Sequence, residues 1–226
     1  KKETISSVFE ENLLSKLKDL RTANLFPAVD NKAICSWNCM MIMGLIDASI
    51  TYQNSKWFEI AETTTHLILN NFCNEDQCYR LVYSNKIITG TLEDYSWLVA
   101  LFIKIGHIST SAYWFNESIK WTNIIIKKFW DEDKNLFAFS EREVLYKKSF
   151  EIEDQVIPSS NSVIANNLYE LYNVSHDKKY LEIMDKMMRK VGSKAQKWLP
   201  NYTNWLMLSN KKNASKKQYV TIGYEL

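Results

Sequence analysis

Apolar residues recur at helical spacing along nearly the whole chain. The spacing predicts seven helices, over residues 4–21, 36–53, 55–72, 92–106, 111–129, 160–173 and 177–191. An eighth, near 195–210, is interrupted by Pro200, which cannot continue a helix. The helices alternate in character. Those at 36–53, 92–106 and 160–173 are apolar nearly all round, which predicts burial. Those at 55–72, 111–129 and 177–191 carry charges on one face, which predicts an outer layer. The alternation has a period: Trp37 and Trp97 lie sixty residues apart, and so do Asp94 and Asp154. An aromatic opens each outer helix, at Trp57, Trp114 and Tyr180. The pattern predicts an all-α fold, a partial (α/α) toroid of helical hairpins within one domain over 1–226.

Short extended pieces break the pattern at 78–88, 135–146 and 218–226, and the first two fall between an outer helix and the next inner one. Start signals accompany several helices. Ser36 precedes an apolar run, Thr91 and Asp94 form a near capping box, and Asp177 precedes the last outer helix. Inner helices of such an array all begin at one end, so their N-termini converge on one face. That face would hold Asp30, Lys32, Trp37 and Asn38, then Glu93, Asp94 and Tyr95, then Asp154, Ser159, Asn161 and Ser162.

Composition narrows the function classes. The chain has 226 residues, 46% of them hydrophobic, enough for a sizeable core. Its net charge of +2 leaves no nucleic-acid footprint, and its basic patches are short and scattered. No apolar run reaches the length of a membrane span. The chain opens on Lys1, which fits a fragment and leaves export open. Four cysteines in a chain this long do not make a disulfide scaffold, and a reducing cytoplasm is the default expectation. Cys35 and Cys39 sit one helical turn apart, and Cys73 and Cys78 follow in a loop. Neither pair is C-x-x-C, the spacings are irregular for zinc, and the simplest reading is buried thiols with no metal.

The candidate chemistry lies with acids and aromatics. Glu93 or Asp94 could serve as general acid or base with Asp154 as partner, while Tyr95, Trp37 and Asn38 stack on or hydrogen-bond a sugar ring. Each residue also has a structural reading. Acids suit a helix N-terminus, Trp37 suits a core, and Ser159 suits an N-cap ahead of Asn161 and Ser162. By helical phase Glu93 shares a stripe with Trp97 and Ala100, expected to be the more buried one, and Asp94 shares one with Leu98 and Leu101. Both acids are expected to be buried. Glu93 should turn toward the central cavity near Asp154 or Trp37, and Asp94 should bond backbone amides.

Three motifs carry a family resemblance. "DNKAICSWN" resembles a D-D-K-x-x-x-S-W-N motif, "GTLEDYSWL" a G-x-L-E-D-Y-A motif, and "EIEDQVIPSSNS" a K-E-x-x-D-x-A-x-P-S-G-N-S motif. Together they resemble the thioredoxin-domain-containing family typified by spermatogenesis-associated and bacterial YyaL-like proteins. The resemblance implies a thioredoxin-like module, absent from this chain, followed by an (α/α)6 toroid similar to N-acylglucosamine 2-epimerases and six-hairpin glycosidases. It implies a carbohydrate-active domain acting through carboxylates, or else a non-catalytic binding platform serving the thioredoxin-like module. The implied partners are a small sugar-like ligand and that module, with no cofactor. The chain departs from the motifs at Asn31, Cys39, Phe150, Val156 and Ser160, and Asn135 and Leu136 stand where a Gly-Gly pair is usual. His66, His107 and His176 fall off the candidate face, so the histidine acid–base chemistry of the epimerases has no counterpart there.

Overall fold

A computed structural model of the chain describes residues 2–23, 29–83, 86–141 and 148–214. The chain divides into two compact units, Lys1–Lys32 and Ala33–Leu226. Helix α1 (Lys2–Ala23) forms the first. The expected strand at 218–226 lies outside the described residues.

The second unit is a succession of helical hairpins. Helices α2 (Cys35–Thr51) and α3 (Ser55–Phe72) make the first, α4 (Leu92–Ser109) and α5 (Ala112–Phe129) the second, and α6 (Ser160–Ser175) and α7 (Lys178–Ala195) the third. A 3-10 turn over Leu199–Tyr202, with Pro200 as its second residue, leads into α8 (Thr203–Asn213). The expected helix near 195–210 is thus split, since proline lacks the donor a continuous helix needs there. The inner helices pack in chain order, α2 on α4, α4 on α6 and α6 on α8.

The outer helices behave as their one-sided patterns require. α5 buries Trp114, Trp121, Ile125 and Phe129, and α7 buries Tyr180, Met184, Met187 and Val191. Among the inner helices α4 is enclosed, with Leu98, Val99, Leu101 and Phe102 at 0% exposure. α2 departs from expectation: Trp37 (58%) and Met41 (75%) stand exposed on one stripe, although the helix is apolar nearly all round. The helix turns repeat a local device. Gln53, Thr110 and His176 each take a left-handed conformation between inner and outer helix.

Short strands join the hairpins. β1 (Cys73–Asn74), β2 (Gln77–Tyr83) and β3 (Lys86–Thr89) form an antiparallel sheet in that order. β4 (Trp130–Asp131) pairs with β5 (Leu136–Phe137). The strand expected at 78–88 is therefore two strands, and only the start of the 135–146 piece is strand among the described residues. Asn135, in place of a usual glycine, turns the β4–β5 connection at φ 53°, a region asparagine tolerates. Gly90 admits no side chain, because a Cβ there would lie 2.7 Å from the Cys78 carbonyl oxygen.

Candidate functional site

The N-terminus of α4 carries three of the predicted residues, Glu93, Asp94 and Tyr95. Two local features build it. An isolated bridge between Ile34 and Leu81 holds the start of α2 against β2. The β2–β3 register then slips between Tyr79 and Leu81, so Arg80 is the extra residue of a bulge. Bulges re-aim side chains, and this one aims Arg80 at α4. Its Nη1 donates to Glu93 Oε1 at 3.3 Å and to Asp94 Oδ2 at 3.2 Å. Burial pulls the guanidinium pKa down, but Asp94 and Glu93 outweigh that effect and hold it above its ordinary value.

Asp94 is fully buried and accepts from all sides. Oδ2 takes the Thr91 amide at 3.0 Å, the Thr91 hydroxyl at 3.2 Å and Arg80, while Oδ1 takes the Ser36 amide at 3.3 Å. The capping box read from the sequence is present. Ser36, expected as the cap of α2, lies inside that helix instead, because Ile34 takes the cap position. Its hydroxyl is used on Glu93 Oε1 at 2.7 Å. Glu93 keeps 12% of its side chain exposed and heads a stripe that continues through Trp97, Ala100, Lys104 and His107. That stripe is the less enclosed one, the reverse of the expected ranking, because it lines a groove of about 390 Å³ between α4, α6 and α8. Asn166, Glu170 and Asn204 line the opposite side. The indole N–H of Trp97 is buried and has no partner among the described residues.

Asp154 does for α6 and α8 what Asp94 does for α4 and α2. Its Oδ1 accepts from the Ser159 amide at 2.9 Å and the Ser162 hydroxyl at 2.8 Å, and its Oδ2 accepts from the Asn204 amide at 2.8 Å. Each aspartate thus clamps the first turns of two consecutive inner helices. The oxygens of both aspartates are occupied by donors.

Several predicted ligand contacts take structural places. Tyr95 is 1% exposed, and its hydroxyl receives the Cys78 amide at 2.9 Å and reaches the Asp76 carbonyl at 3.4 Å, so its ring meets Phe129 rather than a ligand. Burial pushes its phenol well up in pKa. Asn161 pairs with the backbone of Phe137 in both directions, at 2.9 Å each, and is fully buried. Ser159 caps α6 by accepting the Ser162 amide, and all three residues are closed to solvent. Asn38 donates to Ile34 O at 2.8 Å, within its own helix turn. Trp37 stands open on α2. Asp30 and Lys32 belong to the first unit, where they pair with each other at 3.1 Å.

Sequence reasoning missed Arg80 and the groove residues. A lone arginine in an alternating strand carries no sign of a bulge. Among the described residues no group of three or more His, Cys, Asp and Glu is arranged to hold a metal ion, and no helix is long and apolar enough to cross a membrane.

No family model matches the chain. It is similar to spermatogenesis-associated protein 20 of Rattus norvegicus, 25% identical over 183 residues, and of Homo sapiens, 24% identical over 183 residues. Each match covers 75% of this chain and 23% of the relative, so the chain spans about a quarter of the curated proteins it matches. Among solved structures it is similar to a GH76 alpha-mannanase of Bacteroides thetaiotaomicron, with a TM-score of 0.58 at 15% identity, over 76% of this chain and 46% of that one. It is similar to an unsaturated glucuronyl hydrolase specific for heparin, with a TM-score of 0.59 at 14% identity, over 74% of this chain and 48% of that one. It is also similar to cellobiose 2-epimerase from Bacillus thermoamylovorans, with a TM-score of 0.57 at 10% identity, over 74% of this chain and 46% of that one. The hairpin array is therefore part of an α/α toroid, the fold of these glycoside hydrolases and sugar epimerases.

Proposed function

We propose that the inner face of these hairpins binds a saccharide, and that Glu93 is the carboxylate through which any chemistry would proceed. The observation that carries this reading is the groove lined by Trp97 on one side and by Asn166 and Asn204 on the other, which starts one helical turn along α4 from Glu93. An indole face suits the apolar side of a sugar ring. Amides opposite suit the hydroxyl edge. Of the three predicted catalytic acids, Glu93 and Asp154 keep partial exposure, and the hydrogen bonds of Glu93 fall on one oxygen only. Its role fits acceptance of a proton from a bound hydroxyl. Asp94 and Asp154 serve as helix clamps in this reading. The similarity to glycosidases and epimerases supports the substrate class.

A second reading is a binding platform without chemistry of its own, serving a thioredoxin-like module. It is favoured by the engagement of Asp94 and Asp154 with backbone amides, which occupies two of the three predicted catalytic acids.

The test is a thermal-shift and tryptophan-fluorescence titration of the full-length protein against mono- and disaccharides. A ligand that binds only the folded state must raise the melting temperature. Trp97→Ala is expected to weaken the binding about tenfold, or 1.4 kcal/mol, and also to lower stability, because Trp97 packs against the core. Glu93→Gln keeps the shape and should spare the fold while lowering affinity or turnover. No shift with any sugar would move the assignment to the binding platform.

A further inference from the structure

Four cysteines separated in sequence meet at the start of α2. Cys35 and Cys39 lie one turn apart on that helix, with Cys35 its first residue. Cys73 and Cys78 face each other across the β1–β2 hairpin. The Cys78 amide is bonded to the Tyr95 hydroxyl, so the Cys73–Cys78 pair exchanges no backbone bond from that amide. Directly opposed residues in such a ladder have Cα atoms about 4.5–5.5 Å apart, inside the roughly 4.4–6.8 Å range that a disulfide spans. Cys78 Sγ in turn lies 3.7 Å from Cys35 Sγ. Cys73 is half-buried, whereas Cys35, Cys39 and Cys78 are buried. The thiols therefore form a row from the surface inward, not a tetrahedral metal cage, in keeping with the lack of a metal-holding group among the described residues.

We propose that Cys73, Cys78 and Cys35 form a thiol–disulfide relay, in which a low-molecular-weight disulfide reacts at Cys73 and the oxidation is passed inward to end as a Cys35–Cys78 disulfide. The steps balance. The Cys73 thiolate attacks the small disulfide, whose S–S bond breaks and releases one thiol. The Cys78 thiolate attacks the Cys73 sulfur, forms Cys73–Cys78 and releases the second thiol. The Cys35 thiolate then attacks the Cys78 sulfur, and Cys73 leaves as a thiolate and is reprotonated. Overall one small disulfide is reduced to two thiols, and Cys35 and Cys78 lose two electrons and two protons.

The surroundings favour the final transfer, in which Cys35 is the nucleophile. Hydrogen bonds from Cys39 and then Cys78 hold the Cys35 thiol below its ordinary pKa. Arg80 acts in the same sense, while burial and Asp94 oppose it. The same contacts, with Cys35 the leading one, raise Cys39 and Cys78. The final bond needs the two sulfurs to close from 3.7 Å to about 2.05 Å. It would also sit against the carboxylate cluster. Cys35 precedes Ser36, which bonds Glu93 and Asp94, and Cys78 lies two residues from Arg80 on the same strand.

The full chain should be incubated with oxidised glutathione, its remaining thiols blocked with N-ethylmaleimide, and its linkages mapped by mass spectrometry of peptides. The expected product is Cys35–Cys78. Cys73→Ser should slow its formation at least tenfold, and Cys35→Ser should halt oxidation at Cys73–Cys78. Cys73 is half-buried, so Cys73→Ser keeps the test decisive even where the buried substitution does not fold. Glutathione retained on Cys73 without transfer, a Cys35–Cys39 linkage, or an unchanged rate in Cys73→Ser would each overturn the relay.

Discussion

Asp94→Ala is expected to destabilise the hairpin array by about 3 kcal/mol, seen as a fall of roughly 6–12 °C in melting temperature. The change removes the acceptor of the Ser36 amide, the Thr91 amide, the Thr91 hydroxyl and one contact of Arg80. Two of these are helix N-terminal donors in a site with no exposure at Asp94. Left unpaired there, each costs about 1–3 kcal/mol. Arg80 limits the loss, since it keeps Glu93 and part of its side chain reaches solvent. Asp94→Asn is expected to rescue little. Both carboxylate oxygens face donors, so the amide nitrogen would meet a donor in either orientation. Urea or thermal unfolding checks both variants. An Asp94→Asn protein as stable as the parent would show that the clamp carries little of the stability.

Asp154→Ala is expected to cost nearly as much, roughly 2–3 kcal/mol. It frees the amides of Ser159 and Asn204, at the starts of two neighbouring inner helices. Here the conservative change should work in part. Oδ1 carries two of the three recorded bonds, so Asp154→Asn keeps them and sacrifices the Asn204 amide alone. A loss about half that of the alanine variant is the expected outcome in the same unfolding measurement. Equal losses for both would show that the bond to Asn204 dominates.

These two clamps show what a linear reading can and cannot recover. Asp154, sixty residues beyond Asp94, lies in the connection ahead of α6 rather than within a helix, but the spacing of Thr91 and Asp94 announced a capping box. Local rules of helix initiation suffice for that. Apolar periodicity likewise placed the hairpins to within a few residues, since burial of a stripe is what the period encodes. The site needed more. Arg80 reaches the acids through a bulge, and the register slip depends on how β2 pairs with β3 rather than on any residue type near it. The stripe of Glu93 and Trp97 was read as the more enclosed one because both stripes of α4 are rich in apolar residues. Which stripe faces a neighbour and which lines the groove is decided by α6 and α8. Tyr95 follows the same lesson, since its hydroxyl is claimed by Cys78 and Asp76, residues of the preceding connection. The convergence of the four thiols was hidden for the same reason, because it joins residues on α2 to a hairpin more than thirty positions away.

The order of packing, α2 on α4, α4 on α6 and α6 on α8, has a dynamic consequence. In a row of this kind, opening an end element breaks one interface, while opening an interior one breaks two. Opening α4 breaks its interfaces with both α2 and α6, so its backbone amides should belong to the most slowly exchanging set. The helix that carries Glu93 and Trp97 is thus held from both sides.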